Sequence, residues 1–179
     1  MKIVFIGAGA IGGYYGGQLA KAGHDITYVV RPATRKVIDE EGLTLISPEG
    51  TENITNVSTV GSLDEVDSAD LVISAIKIFG EPELPENLPA GAKFMTTENS
   101  VEYPMLAQEK YGADKVIPAV VRAFIHREGP ATAHFMGGGM SLTFGSLDPA
   151  TESVVQEFFE ALEPTPIKAK IHPHMLRDV

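Results

Sequence analysis

An apolar run at the start of the chain, Lys2-Ile3-Val4-Phe5-Ile6, breaks directly into Gly7-Ala8-Gly9-Ala10-Ile11-Gly12, a G-x-G-x-x-G spacing. This order of a buried strand, a tight turn and a small-residue helix leaves few folds open. Each glycine has its own task in such a turn. Gly7 allows the sharp exit from the strand, Gly9 lets backbone approach a pyrophosphate, and Gly12 lets the helix lie close to the sheet. The N-terminus of the following helix offers unpaired N–H groups to phosphates. The spacing alone is weak, but the strand before it and the helix after it supply the context that a dinucleotide site requires.

The helix is expected over Ala10–Ala22. Gly12, Gly16 and Ala20 repeat along one face, with Gly13 and Gly17 beside them. Glycine costs a helix about 1 kcal/mol relative to alanine, so four of them after Ile11 point to close packing rather than propensity. Gly23 ends the helix, and Asp25–Val30 reads as the second strand of a βαβ start. Arg31 stands just past its end. An acidic residue near this position bonds the ribose 2′-hydroxyl of NAD, whereas a cation accommodates the 2′-phosphate of NADP. Arg31, Arg35 and Lys36 are three of only 14 Lys and Arg residues in a chain of net charge −10. Arg31 is taken as the phosphate ligand, Arg35 is left open, and Lys36 is read as a solvated side chain.

The remaining elements follow the same signals. A second helix is expected over 33–41, ended by Gly42, then β segments at 43–47 and 53–60 about the Pro48-Glu49-Gly50 turn. Asp70–Ile76 is a continuous apolar strand of the kind buried on both faces of a parallel sheet. Lys77 follows it at the carboxyl edge, where open α/β sheets bind ligands. Pro82, Pro85 and Pro89 allow only a broken helix and loop over 80–91. A strand at 93–97, a helix at 102–111 closed by Gly112, and β segments at 116–125, 131–135 and 140–144 come next, the last group read as an antiparallel addition to the sheet. An amphipathic helix over 150–162 turns Val154, Val155, Phe158, Phe159 and Leu162 inward. A strand at 166–171 and the first turns of a helix at 173–179 complete the chain, with a domain boundary expected near 171–173. The fold class is therefore α/β, a doubly wound, mostly parallel sheet with an antiparallel addition.

Composition narrows the function classes. With 179 residues the chain suits one domain that buries roughly 70% of its unfolded surface. No apolar run approaches the ~18 residues of a membrane span, and Met1-Lys2 leads straight into the first strand, so a cytoplasmic protein without signal peptide or membrane partner is expected. The absence of cysteine excludes disulfides and thiolate catalysis. The net charge of −10 argues against nucleic acid as a partner. His172 and His174 are two residues apart and His134 is remote in sequence, so no metal-ligand spacing is read, and His126-Arg127 is read as structural.

GAGAIGG at the start, Arg31, the strand leading to Lys77, Asn99 after its own strand and His-Arg-Glu-Gly at 126–129 together resemble the ketopantoate reductase family. The resemblance covers essentially the whole chain. It implies NADPH as cofactor, with Gly7, Ala8, Gly9, Ala10, Ile11 and Gly12 holding the pyrophosphate and Arg31 the 2′-phosphate. Lys77, Asn99 and Ile125 would lie toward the nicotinamide end, and Asn99 would also approach a small 2-oxo acid substrate. The implied reaction is reduction of 2-dehydropantoate to pantoate, a step of pantothenate biosynthesis; reduction of another 2-oxo acid, or NADPH binding without chemistry, stays open. Family members carry a further helical domain with a general-acid lysine in a Trp-x-Lys run. No catalytic residue is therefore expected within 1–179, which divides into a dinucleotide-binding domain (1–171) and the start of a connection (172–179) to that helical domain, and a homodimer is left open. Glu98-Asn99-Ser100 departs from the family pattern, in which glycine follows this asparagine and Gln often precedes it. Glu98 is expected to bring a charge that an anionic substrate would oppose.

Overall fold

The computed structural model describes residues 1–178 and shows a doubly wound α/β domain with a second, smaller sheet. The first half alternates strand and helix: β1 (Lys2–Ile6), α1 (Ala10–Lys21), β2 (Asp25–Val29), α2 (Pro32–Glu41), β3 (Leu43–Ser47), β4 (Gly50–Ile54) and β5 (Ser58–Val60). Then come β6 (Leu71–Ser74), β7 (Lys93–Thr96), α3 (Glu102–Tyr111), β8 (Val116–Arg122), β9 (Ile125–Gly129), β10 (Thr132–Phe135) and β11 (Ser141–Phe144). The chain continues through α4 (Glu152–Leu162), β12 (Lys168–Ile171) and a single turn, α5 (Met175–Asp178). Val179, the end of the expected connection, lies outside the described residues.

The main sheet runs β12-β11-β8-β7-β6-β1-β2-β5. The six strands from β8 to β5 are parallel, β11 is antiparallel to β8, and β12 runs parallel to β11. Strand alternation sends Ile3 and Phe5 of β1 to one face and Val4 to the other. The first face joins Tyr28, Ile73, Ile117, Leu19 of α1 and Phe158 and Leu162 of α4; the second joins Val72, Phe94, Val116 and Tyr103 and Ala107 of α3. Burial on both faces is why these strands read as unbroken apolar runs.

The antiparallel addition is only partly as expected. β11 joins the main sheet, but β9 and β10 leave it and pair with β3 and β4 in a four-stranded sheet ordered β4-β3-β10-β9. The segment expected as one strand over 53–60 is two, β4 in this second sheet and β5 at the edge of the main one. The stretch 80–91 contains no helix, because its prolines remove too many donors.

Helix α1 lies between the two sheets, and its two columns of glycine are the reason it fits. A β-carbon on Gly16 would overlap the Tyr28 hydroxyl on the main sheet, and one on Gly17 would come within 2.8 Å of Leu45 on the second. The Tyr28 hydroxyl uses the space left by Gly16 to donate to the carbonyl oxygens of Gly12 (3.0 Å) and Gly13 (3.3 Å). Residues 12–20 are buried on every side of the helix.

Candidate functional site

Strands β1, β2, β6 and β7 are parallel, so their carboxyl ends share one edge. Strand order reverses at β1: β2 and β5 lie to one side, β6, β7 and β8 to the other. The crevice beyond β1 is therefore the topological switch point at which such sheets take ligands. The glycine turn occupies it. Gly7 has φ +95° and its N–H donates to the carbonyl of Val29 (3.0 Å), tying the turn to the end of β2. A β-carbon on Gly12 would overlap the Gly7 carbonyl oxygen and lie 3.1 Å from Cβ of Ala75. Gly9 differs from both: a β-carbon there would meet nothing within 4 Å. The turn is thus closed against the protein at Gly7 and Gly12 and open outward at Gly9, the geometry a pyrophosphate needs. Gly9 also caps α1 without a side-chain hydrogen bond, and the first turn carries no acid. The N–H groups of Ala10, Ile11 and Gly12 have no acceptor within the helix and are available to an anion. On these grounds residues 7–12 fit a dinucleotide.

The basic residues after β2 separate into different states. Arg31 precedes α2, is exposed, and forms no ion pair among the described residues. Arg35 lies 3.6 Å from Asp39, whose other carboxylate oxygen accepts from Thr59 (2.5 Å). Lys36 is exposed. Arg31 is therefore free for a phosphate, and Arg35 is engaged by its own helix.

On the other side of β1 the sequence reading needs adjustment. Strand β6 ends at Ser74, so exposed Lys77 stands in irregular chain three residues beyond it. Ala75 and Ile76, read as strand from their apolarity, instead wall the glycine turn: Ile76 Cγ2 and the Ala75 carbonyl oxygen lie 3.1 and 3.2 Å from the place of a β-carbon on Gly7. Asn99 is in the left-handed region (φ +53°), and its carboxamide pairs with the backbone of Val121, donating to the carbonyl (2.9 Å) and accepting from the N–H (2.8 Å). One N–H and one acceptor site of the amide remain for a ligand. A pocket of about 200 Å³ opens beside it, walled by Ser100, Val101, Pro118, Arg122 and Met175. Ile125 opens β9 and is half-buried against the main core, so it belongs to the second sheet. Ser100 has a local role: its hydroxyl accepts from the N–H of Tyr103 in the first turn of α3 (3.3 Å).

Glu98 points into the protein. Its Oε1 accepts from the Ser74 hydroxyl (2.5 Å), which in turn lies 3.4 Å from the Tyr103 hydroxyl, while Oε2 is buried with no hydrogen-bond partner among the described residues. Burial is the main cause that pushes its carboxyl up to about 7, against a usual value of 4.5. The expected charge at the ligand edge is thus only partial near neutral pH. A carboxyl raised on folding contributes stability that is fully present below its unfolded value and lost as pH rises through about 7. Glu98→Gln keeps an acceptor for Ser74 and cannot ionise. It should unfold in urea like the parent at pH 4.5 and be more stable at pH 8.5, by up to about 3 kcal/mol. An equal difference at both pH values would put the carboxylate in water.

The histidines, in which the sequence shows no metal-ligand spacing, are brought together in part by the fold. His134 is remote from His172 and His174 along the chain, but the β9–β10 pairing sets it opposite His126, with Glu128 between them. Only the register of the hairpin carries this signal.

The family described as ketopantoate reductase PanE/ApbA matches residues 3–149. A 2-dehydropantoate 2-reductase of Nostoc sp. (strain PCC 7120) is 33% identical over 88 residues, covering 49% of this chain and 27% of that protein. Another, of Halobacterium salinarum, is 27% identical over 149 residues, covering 78% and 47%. The crystal structure of a 2-dehydropantoate 2-reductase from Geobacter metallireducens GS-15 has the same fold, with TM-score 0.82 at 23% identity over 96% of this chain and 58% of the other. Matches to these three proteins thus span from 27% to 58% of their length. Among the described residues no helix is long and apolar enough to cross a membrane.

Proposed function

Because the chain belongs to the ketopantoate reductase family of oxidoreductases, we propose that it is the cofactor-binding part of an NADPH-dependent 2-dehydropantoate 2-reductase. The observation that carries this reading is the arrangement at the sheet edge: a glycine turn open only at Gly9, with the unpaired Arg31 at the end of the neighbouring strand. When bound, the nicotinamide supplies hydride for the C2 ketone of a small 2-oxo acid. The work of this chain is to hold and orient. Residues 7–12 cradle the pyrophosphate through the N–H groups at the start of α1, and Arg31 meets the 2′-phosphate. Lys77 and Asn99, each three residues beyond the end of β6 and β7, serve the nicotinamide end, and the free half of the Asn99 amide serves the substrate.

The proton for the developing alkoxide comes, on this reading, from a lysine in a helical domain beyond residue 179. A proton donor within hydrogen-bond reach contributes roughly 10²–10⁴-fold to such a step. The 179-residue chain should accordingly bind NADPH and not turn over. A longer version with the helical domain should oxidise NADPH when given 2-dehydropantoate, and should lose that activity when the lysine of its Trp-x-Lys run is replaced. Comparable turnover by the short chain would make Lys77 the acid and overturn the division of labour.

A further inference from the structure

The second sheet has an outward face that the dinucleotide reading does not use. Phe135 of β10 packs on Tyr14 of α1, with ring centroids 5.6 Å apart, and Ala133 lies 3.6 Å from the place of a β-carbon on Gly13. Alternation along the strand then turns His134 to the side away from α1 and from the glycine turn. Directly opposite His134 on β9 is His126. The register of the two strands shifts between Thr132 and Ala133: Gly129 pairs with Thr132 and Arg127 with Ala133, so Glu128 is the extra residue of a bulge. Bulges re-aim side chains. Here the carboxylate reaches both rings, with Oε1 3.2 Å from Nε2 of His126 and 2.5 Å from Nδ1 of His134, and the two rings are 5.0 Å apart.

We propose that His126, Glu128 and His134 form a binding site for one divalent transition-metal ion, Zn²⁺ foremost, with solvent completing the coordination. One ligand atom from each side chain lies within 4.8 Å of the other two. Around a tetrahedral ion bound at about 2.0–2.1 Å, ligand atoms sit about 3.3 Å apart. The His126–Glu128 separation of 3.2 Å already has that spacing. The His134–Glu128 pair, at 2.5 Å, needs to open by less than one rotamer adjustment of a half-exposed carboxylate. Three protein ligands and one open position match the ligand count of zinc sites that keep a solvent molecule.

The donor set chooses the class of ion. Two imidazole nitrogens and one carboxylate, without thiolate, suit Zn²⁺, Cu²⁺ or Ni²⁺, whereas Mg²⁺ and Ca²⁺ take shells of oxygen. A chain of net charge −10 also favours a cation at its surface. The consequence for the fold is local. β9 is an edge strand with β10 as its sheet neighbour, so an ion held by both strands would clip the edge in register. An ion that binds the folded chain and not the unfolded one raises stability by mass action.

The experiment is titration of ZnCl₂ into untagged, chelator-treated protein by calorimetry, with thermal unfolding alongside and Co²⁺ absorption as a report of coordination geometry. The expected result is saturation at one ion per chain, a raised Tm, a tetrahedral Co²⁺ spectrum, and no competition from millimolar Mg²⁺. His126→Ala and His134→Ala should each weaken binding at least the roughly 10-fold that loss of even an outer partner costs a metal site. Both side chains are outward-facing, and unchanged dinucleotide affinity would show that the variants keep their fold. Absence of Zn²⁺ binding by the parent, or equal binding by the double variant through His24, His172 or His174, would overturn the proposal and leave Glu128 as a hydrogen-bond acceptor for two histidines.

Discussion

Replacing Gly12 by alanine is expected to abolish dinucleotide binding and to destabilise the domain by about 1–3 kcal/mol or more, the cost of forcing atoms into a packed interior. The new methyl would overlap the carbonyl oxygen of Gly7 and press on Ala75. Neither is the far end of a flexible side chain. The Gly7 peptide is fixed by its bond to Val29, so relief requires α1 to move off β1. Such a shift takes the N–H groups of the first helical turn out of line with the phosphates. Gly9→Ala is the informative partner, since its methyl would enter open space. That variant should unfold like the parent yet bind cofactor poorly, because the methyl occupies the approach of the pyrophosphate. Urea unfolding and NADPH fluorescence on both variants separate the two effects. Undiminished NADPH binding by Gly12→Ala would show that the turn is not the cradle.

Arg31→Ala is expected to cost about 1.5–3 kcal/mol toward NADPH and little toward NADH, the range for a hydrogen bond to a charged group. The difference should appear as about a 10- to 150-fold rise in Kd for one cofactor only. Arg35→Ala should do less, because that guanidinium is engaged with Asp39, an exposed pair of the kind worth well under 1 kcal/mol. Equal affinity of the parent for NADPH and NADH would remove the 2′-phosphate from Arg31. A larger loss in Arg35→Ala than in Arg31→Ala would move it to the next turn of α2.

What the sequence discloses well is local. β1, α1, β2, α2 and α3 have ends close to those expected, because glycines 23, 42 and 112 stop their helices and apolar runs define the buried strands. Destinations are harder. Leu43–Ser47 reads as a strand, but nothing within it says that β10, nearly ninety residues later, will be its parallel neighbour. A hint of the second sheet does exist in α1, whose two adjacent glycine columns each face a different sheet. At the site, the close packing at Gly7 and Gly12, the open space at Gly9 and the exposure of Arg31 follow from position. The inward turn of Glu98 toward Ser74 and the pairing of Asn99 with Val121 depend on loops at the ends of different strands, whose approach no spacing encodes.

A helix with four glycines in its first eight residues has too little propensity to persist alone in water. The order of α1 is therefore lent by the two sheets that enclose it, and one of those is not closed until β10 has joined β3. During synthesis, a nascent chain with β1 and the glycine turn already outside the ribosome still lacks the strand that completes the enclosure. If residues 7–12 hold the nucleotide as proposed, they are expected to become competent to capture it only after about three quarters of the chain has emerged, at Phe135. Cofactor capture by this turn would then be a late event of folding, tied to the most distant strand pairing in the second sheet.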